Sequence, residues 1–317
     1  MLRKKPVFNI KPMFIIQLIH GFDINIHTSR KSRIFSKIYS IILSLFIAIL
    51  SDYLIKMIDC FYLYVDLIEY FLTALYFLFT NDGYLKYFSY IPTIDNLPGI
   101  KKQLRKLEIF SICCLVATFA TKILLITSSC IGGWTCLQIY IGNFLLSALE
   151  VCKINMTLCF GLLYLRTRAI KKAFCETDFN DSHVKRSAVI SFIQMYETLV
   201  DTLGNVQGPI KLLGTIQPDV ILWFVISGQP VLYFIFMAIA LDLTDDDLKD
   251  MKIVCMEKII QCKNERDRCN LQQLLLLLQH RPLRFTICRI NILRIRPILS
   301  FTSFCIINII AILAFWP

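Results

Sequence analysis

Residues 38–50 read IYSIILSLFIAIL and residues 109–120 read IFSICCLVATFA. Neither stretch contains a charged side chain. A backbone in a lipid bilayer must satisfy its own hydrogen bonds, so apolar stretches of this kind predict helices and not strands. The hydrophobic content of 56% and the mean hydropathy of +0.61 are also too high for a soluble domain of 317 residues. The sequence therefore predicts an all-α, polytopic membrane protein.

Basic residues predict the orientation of the chain in the membrane. Of the 34 Lys and Arg residues, 30 lie in the blocks 1–37, 81–107, 166–186 and 243–296. Cytoplasmic loops carry an excess of Lys and Arg, so we expect all four blocks on the inner side, with an even number of crossings between neighbouring blocks. The net charge of +11 then reflects topology and contact with anionic lipid, and nucleic-acid binding is not expected.

The blocks divide the chain into four segments with different predicted roles. Residues 1–37 form a cytoplasmic N-terminal segment, residues 38–242 contain transmembrane helices one to six with cytoplasmic extensions, residues 243–296 form a cytoplasmic anchor helix, and residues 297–317 form the last transmembrane helix. The predicted spans are about 38–56, 57–80, 108–129, 134–165, 190–216, 220–242 and 297–316. Seven crossings place the N-terminus inside the cell and the C-terminus outside.

Three local features refine this prediction. The short apolar run at 12–19 is too short to span and is expected to lie on the inner membrane surface. The turn between the fifth and sixth spans falls either at 217–219 or at 228–230, and both remain open. Thr244 and Asp247 fit a capping box, which predicts a cytoplasmic helix from about 245 to 279. Its heptad-spaced cysteines, which are expected to form one buried stripe, are Cys255, Cys262 and Cys269.

Two stretches resemble insect gustatory receptors. Residues 273–288, QLLLLLQHRPLRFTIC, resemble the leucine-rich intracellular helix and the bend that precede the last helix in that family, and residues 195–206, MYETLVDTLGNV, resemble the start of its fifth helix. The family's last helix usually carries Thr-Tyr, five apolar residues and Gln-Phe. This chain has Ser303-Phe304 and Ile310-Ala311 at those places, so the resemblance identifies a divergent or shortened member.

The resemblance implies a function that the residue pattern alone does not. It implies a receptor in the cell membrane that acts as a ligand-gated cation channel opened by a small-molecule tastant. Four subunits would surround one pore, as a homotetramer or with related receptor subunits, and the last helix of each would line it. A secondary transporter is the alternative, and the Gly- and Pro-interrupted stretch 204–230 keeps it open. The sequence contains no catalytic constellation, so an enzyme is not expected.

Charged and aromatic residues in the outer halves of the spans are candidates for a ligand pocket. A charge in the middle of a bilayer costs about 2.5–3.5 kcal/mol, so Asp66 and Lys122 should face protein or water. They lie at similar depths, and either line a polar pocket or form an ion pair with each other. Aromatic residues near the interface also form an ordinary belt, which is the alternative for the rest. The candidates are Tyr62, Asp66, Tyr70, Phe119, Lys122, Gln138, Tyr140, Asn143 and Trp223.

The last helix carries a polar stripe that is a candidate for the pore lining. Its members follow helical spacing and are Ser300, Phe304, Asn308 and Ala311. Such a stripe either faces water in a pore or forms a small-residue packing seam between helices. The 13 cysteines and 4 histidines show neither Cys-x-x-Cys spacing nor a cluster, so no metal site and no cofactor is expected.

Overall fold

The computed structural model describes residues 6–23, 30–58, 61–79, 87–131, 136–177, 187–215, 229–262 and 264–283. Within these ranges the chain forms nine helices, and the only β-type pairing is an isolated bridge between Pro6 and Ser89. The helices are α1 (Lys11–Ile19), α2 (Arg30–Ile58), α3 (Phe61–Phe79), α4 (Pro92–Asp95), α5 (Ile100–Ile131), α6 (Cys136–Glu176), α7 (Ser187–Thr215), α8 (Gln229–Gln261) and α9 (Glu265–His280).

Helix α6 is the centre of the bundle. It packs against α1, α2, α3, α4, α5, α7 and α8, and nearly every side chain from Leu145 to Leu163 is buried. A helix that is apolar on all sides belongs inside a bundle, because no face of it is suited to water. The predicted extension of this helix beyond residue 165 is confirmed, since α6 continues to Glu176.

Three helices among the described residues are long and apolar enough to cross a membrane. The stretches are Lys31–Ser51 in α2, Ile100–Ser128 in α5 and Tyr140–Glu176 in α6. They overlap the first, third and fourth predicted spans. Only 28% and 22% of the apolar windows of α2 and α5 are buried, against 89% for α6. The outward faces of α2 and α5 carry large apolar side chains such as Ile49 and Leu124, which suits contact with lipid.

The N-terminal helix α1 packs against α6 in a way that the sequence does not predict. Met13, Phe14 and Gln17 are buried, and the Nε2 of Gln17 donates to the Sγ of Cys152 on α6 across 3.8 Å. One face of α1 therefore packs on the bundle, while Ile15 and Ile19 are exposed, and the place of 12–19 on the inner membrane surface stays a prediction. Gln17 gains a polar partner by inserting, and Gly21, at a φ of 85°, turns the chain out of the helix. A Cβ at Gly21 would lie 2.8 Å from the Tyr70 hydroxyl.

The predicted start of the cytoplasmic helix near residue 245 is wrong. Helix α8 runs unbroken through this point, and the Thr244 hydroxyl donates to the Ala240 carbonyl across 2.7 Å inside the helix. The break occurs instead at 262–264. There the Asn264 side chain accepts from the Arg266 amide at 3.1 Å and caps α9. An asparagine cap outside the apolar pattern therefore determines the boundary.

This break disrupts the predicted cysteine stripe. Cys255 on α8 is buried, Cys262 in the break is half-buried, and Cys269 on α9 is exposed. The Cys255 thiol donates to the Leu271 carbonyl across 3.4 Å, so it holds the two helices together. A heptad register requires one continuous helix, and the chain turns back between the second and third cysteines. The prediction of one buried stripe is wrong.

The boundary between the fifth and sixth spans is described only at its two ends. Helix α7 ends at Thr215, and α8 begins at Gln229 with Pro230 in its first turn. Proline is favoured there because the first helical amides have no partner within the helix. The alternative turn at 228–230 thus coincides with the start of α8, and the turn at 217–219 lies outside the described residues.

Candidate functional site

A buried ion pair joins α5 to α6. The Nζ of Lys122 donates to the Oε1 of Glu150 across 2.7 Å, and the side chains are 6% and 3% exposed. The second carboxylate oxygen of Glu150 has no partner among the described residues. Removing two charges from water costs several kcal/mol per ion unless each is paired. Lys122 therefore has a countercharge on α6 in Glu150, which neither of the two sequence-based alternatives, a polar pocket or an ion pair with Asp66, includes.

His20 makes a second buried polar contact with α6, at Ser147, which lies one turn before Glu150. Its Nδ1 lies 2.8 Å from the Ile16 carbonyl and its Nε2 lies 2.9 Å from the Ser147 hydroxyl, which itself donates to the Phe144 carbonyl at 2.9 Å. Burial lowers the pKa of His20, and the hydrogen bond to Ile16 opposes this only in part. The imidazole is accordingly neutral near pH 7. Its ring packs on Phe144, with ring centroids 4.9 Å apart.

The structure brings several of the predicted pocket residues to this network. The Tyr70 hydroxyl donates to the His20 carbonyl across 2.8 Å, and the Phe119 ring stacks on the His20 ring at 6.4 Å. Lys122 joins it through Glu150. Asp66 is buried on α3, in the turn before Tyr70. Four helices, α1, α3, α5 and α6, thus meet at one polar centre.

Other predicted pocket residues lie apart from this centre or outside the described part of the chain. Asn143 is half-buried on α6, and Tyr140 is 53% exposed on the outside of the bundle. The side chains of Tyr62 and Gln138, and all of Trp223, lie outside the described residues, as do the four pore candidates of the last helix. Among the described residues no group of three His, Cys, Asp or Glu could hold a metal ion.

Sequence reasoning missed His20, Ser147 and Glu150. A signal for Glu150 was available, because Glu150 and Lys153 are the only charged residues in 137–165. An intramembrane charge needs a partner, and Lys122 on the third predicted span carries the charge opposite to that of Glu150. His20 carried no such signal, since it follows a segment that was assigned to the membrane surface.

A second buried network joins the segment before α5 to the C-terminal part of α6. Arg166 is fully buried; its Nε and Nη2 donate to the two oxygens of Asp95 at 3.0 and 2.9 Å. The same guanidinium donates to the carbonyls of Tyr87 and Ser89 at 3.0 and 2.9 Å. Asp95 also accepts from the Ile91 amide at 2.7 Å. Every charged atom of the pair is satisfied, so this network is structural and not a reactive site.

The two stretches that resemble gustatory receptors contact each other. Tyr196 on α7 donates its hydroxyl to the Arg281 carbonyl at 2.8 Å, and the Arg281 guanidinium donates to Asp201 at 2.8 Å. Nearby, Lys171 on α6 bridges Asp247 and Asp250 on α8 at 2.7 and 2.5 Å. The segments predicted to be cytoplasmic thus form one helical bundle at the end of α6.

Comparisons with solved structures identify the fold. No protein-family model and no curated protein matches the sequence. The structure is similar to that of the insect olfactory receptor OR5 from Machilis hrabei, with a TM-score of 0.68, 13% sequence identity, and coverage of 96% of this chain and 97% of that one. The same receptor in complex with eugenol matches with a TM-score of 0.56, 12% identity and the same coverage. The predicted all-α, polytopic membrane fold is confirmed. Its orientation stays a prediction.

Proposed function

We propose that this chain is a chemoreceptor of the insect gustatory type, which acts in the cell membrane as a ligand-gated cation channel opened by a small-molecule tastant. The similarity to an olfactory receptor along 96% of the chain carries this proposal. The contact between Tyr196 and Arg281 supports the gustatory type, because it joins the two stretches of sequence that resemble that family.

The ligand pocket of the proposed receptor lies in the outer halves of the spans. Its candidate lining residues are Tyr62, Asp66, Tyr70, Phe119, Lys122, Gln138, Tyr140, Asn143 and Trp223. Three of these candidates contact the polar centre around His20 and Glu150, namely Tyr70, Phe119 and Lys122. A small molecule with one polar group and an apolar body suits a site that combines aromatic rings with few charges. Eugenol, bound to the similar receptor, has this character.

Four subunits, identical or related, surround the pore in this proposal, and Ser300, Phe304, Asn308 and Ala311 line it. An apolar stripe on α8 supports an oligomer. Ile253, Met256 and Ile260 follow helical spacing and are 51%, 45% and 83% exposed. They lie in the segment predicted to be cytoplasmic, where lipid does not cover them. A second copy of the chain would cover this stripe.

Electrical recording from cells that express the chain alone tests the proposal. We expect inward cation current on addition of an activating compound from a panel that includes eugenol and polar tastants. The Asp66→Asn variant should reach the cell surface and respond with altered ligand sensitivity. Uptake of the compound in fixed stoichiometry with an ion, without channel current, would instead support a secondary transporter.

A further inference from the structure

A cavity of about 320 Å³ lies between the N-terminal segment, the segment before α4 and the first turns of α5. Its apolar wall includes Phe8 and Leu104, and its polar wall includes Lys101, Arg105 and Glu108. A volume of this size is at the lower end of the range for small-molecule sites. Asp95 forms part of the floor, and Arg166 holds that carboxylate in place.

The two cations of this cavity have no partner among the described residues. Neither Lys101 nor Arg105 makes a hydrogen bond or an ion pair with another residue in the part of the chain that the structure describes. The negative charge of Asp95 is already matched by Arg166. With Glu108 as the remaining carboxylate, the cavity keeps a surplus of positive charge. An anion would therefore gain from binding there.

The position of these cations in the helix gives a second argument. They lie in the first two turns of a 32-residue helix, where the helix dipole disfavours positive charge and favours an anion. A bound anion would relieve the unfavourable placement of Lys101 and Arg105, and it would accept hydrogen bonds from both.

The surface that follows along α5 indicates the source of the anion. Ile109 and Ile112 lie one and two turns beyond Arg105, and they are 53% and 48% exposed. The helix is one of the three that are apolar enough to cross a membrane. A cavity with cations at the membrane interface, continuous with an exposed apolar face, fits a phospholipid whose headgroup enters the cavity and whose acyl chains lie along the helix.

We propose that this cavity binds the phosphorylated headgroup of an acidic phospholipid, of the phosphoinositide class, through Lys101 and Arg105. The site lies on the inner side in the orientation that the basic blocks predict. It rests on the membrane fold and not on channel activity, so it stands or falls independently of the recordings described above.

Native mass spectrometry of the purified full-length chain in detergent tests this site. The probes are a short-chain phosphatidylinositol bisphosphate, the matching phosphatidylcholine, soluble inositol trisphosphate and inorganic phosphate. The variant Lys101→Gln with Arg105→Gln removes both cavity cations. Its matched control, Lys102→Gln with Lys106→Gln, removes two cations from the same turns that are exposed, as Lys101 and Arg105 are, but do not line the cavity.

We expect the bisphosphate lipid to bind more tightly than phosphatidylcholine or either soluble phosphate. The cavity variant should lose about tenfold or more in affinity, at roughly 1 kcal/mol for each cation near an anionic headgroup, and the control variant clearly less. An equal loss of affinity in the two variants would indicate diffuse electrostatic attraction without a specific site, and it would overturn the proposal. Equal affinity for inositol trisphosphate would overturn the lipid as its ligand.

The variant Glu108→Gln provides a test that does not depend on the folding of the double variant. It removes the unpaired carboxylate from the cavity wall and leaves both cations in place. The bisphosphate lipid should then bind more tightly, because like-charge repulsion is lost. Unchanged or weaker binding would contradict the proposed position of the headgroup.

Discussion

Arg166 and Asp95 form a bidentate ion pair in which neither side chain is exposed to solvent. The pair joins the C-terminal part of α6 to the segment that precedes α5. Both charges are fully hydrogen-bonded, because two backbone carbonyls and one backbone amide complete their shells. A buried pair of this kind contributes little net stability over an apolar replacement, yet it is very sensitive to the loss of one partner.

The Arg166→Met variant should therefore destabilise the protein by about 3–5 kcal/mol, because it leaves the Asp95 carboxylate buried without a countercharge. Arg168→Met is the matched control, since Arg168 lies two residues further on the same helix and is exposed. Thermal unfolding of the purified protein, followed by size-exclusion chromatography, measures both. Equal melting temperatures for the two variants would contradict the structural role of the pair.

The contact between Lys122 and Glu150 predicts a specific coupling energy. Lys122→Met strands the Glu150 carboxylate, and Glu150→Gln added to it should recover part of the lost stability. In a double-mutant cycle we expect a coupling of about 1–3 kcal/mol between these two residues. Lys122→Met and Asp66→Asn should instead add to within about 0.5 kcal/mol. Stronger coupling of Lys122 to Asp66 than to Glu150 would restore the partner that the sequence predicted.

The break between α8 and α9 predicts different reactivity for Cys255 and Cys269. Cys269 is exposed, whereas burial raises the pKa of Cys255 to about 11. A maleimide should therefore label Cys269 quickly in the native protein, and Cys255 only after denaturation, as measured by mass spectrometry of peptides. One continuous helix with heptad-spaced cysteines would instead give the two thiols similar labelling rates.

The raised pKa of Cys255 also has a consequence at alkaline pH. Below pH 9 the thiol is protonated in both the folded and the unfolded chain, so its contribution to stability is complete. Between pH 9 and about 11 the unfolded chain releases this proton while the folded chain retains it, and stability falls. The Cys255→Ala variant should lose less stability over this pH interval than the native chain, as chemical denaturation at each pH can measure.

The sequence predicted the membrane class and several helices because these follow from local, one-dimensional patterns. Apolar length and flanking charge located the helices that became α2, α5 and α6. The sequence did not predict the packing of α1 on the bundle, because the burial of Gln17 and His20 depends on α6, more than 120 residues away. It also missed the break before α9, since one asparagine cap outweighs the apolar pattern on either side. Pairing between distant residues has no local signature, and for this reason the sequence offers Asp66 as the ion-pair alternative for Lys122 and does not indicate Glu150.

The orientation of the chain remains a prediction that labelling can test. The four basic blocks place the N-terminus inside and the C-terminus outside. An epitope tag after Met1 should be accessible to antibody only in permeabilised cells, and a tag after Pro317 should be accessible in intact cells. A tag beside the exposed Asn264, which the basic blocks also place on the inner side, should respond in the same way as the N-terminal tag. Labelling of the N-terminal tag in intact cells would reverse the predicted orientation.

The last helix is the part of the proposed channel that current recording tests most directly. Asn308 is the strongest polar group of its stripe, and its amide can replace part of the hydration shell of a permeating cation. Asn308→Asp should raise cation conductance or block by divalent ions, because each subunit then adds a negative charge to the pore wall. Ser303→Asp, on the adjacent face of the same helix, is the matched control and should have little effect on conduction.

Cysteine substitution along the same helix gives the orientation of the pore face. In a background with Cys305→Ala, cysteines at 304, 308 and 311 should react with a thiol reagent faster when an activating compound is present, because an open pore is hydrated. If 303, 307 and 310 react instead, the helix is rotated and the adjacent stripe lines the pore. A conduction path must be accessible to water. If neither current nor reactivity changes at any position from 300 to 314, this helix does not line the pore and the channel assignment is wrong.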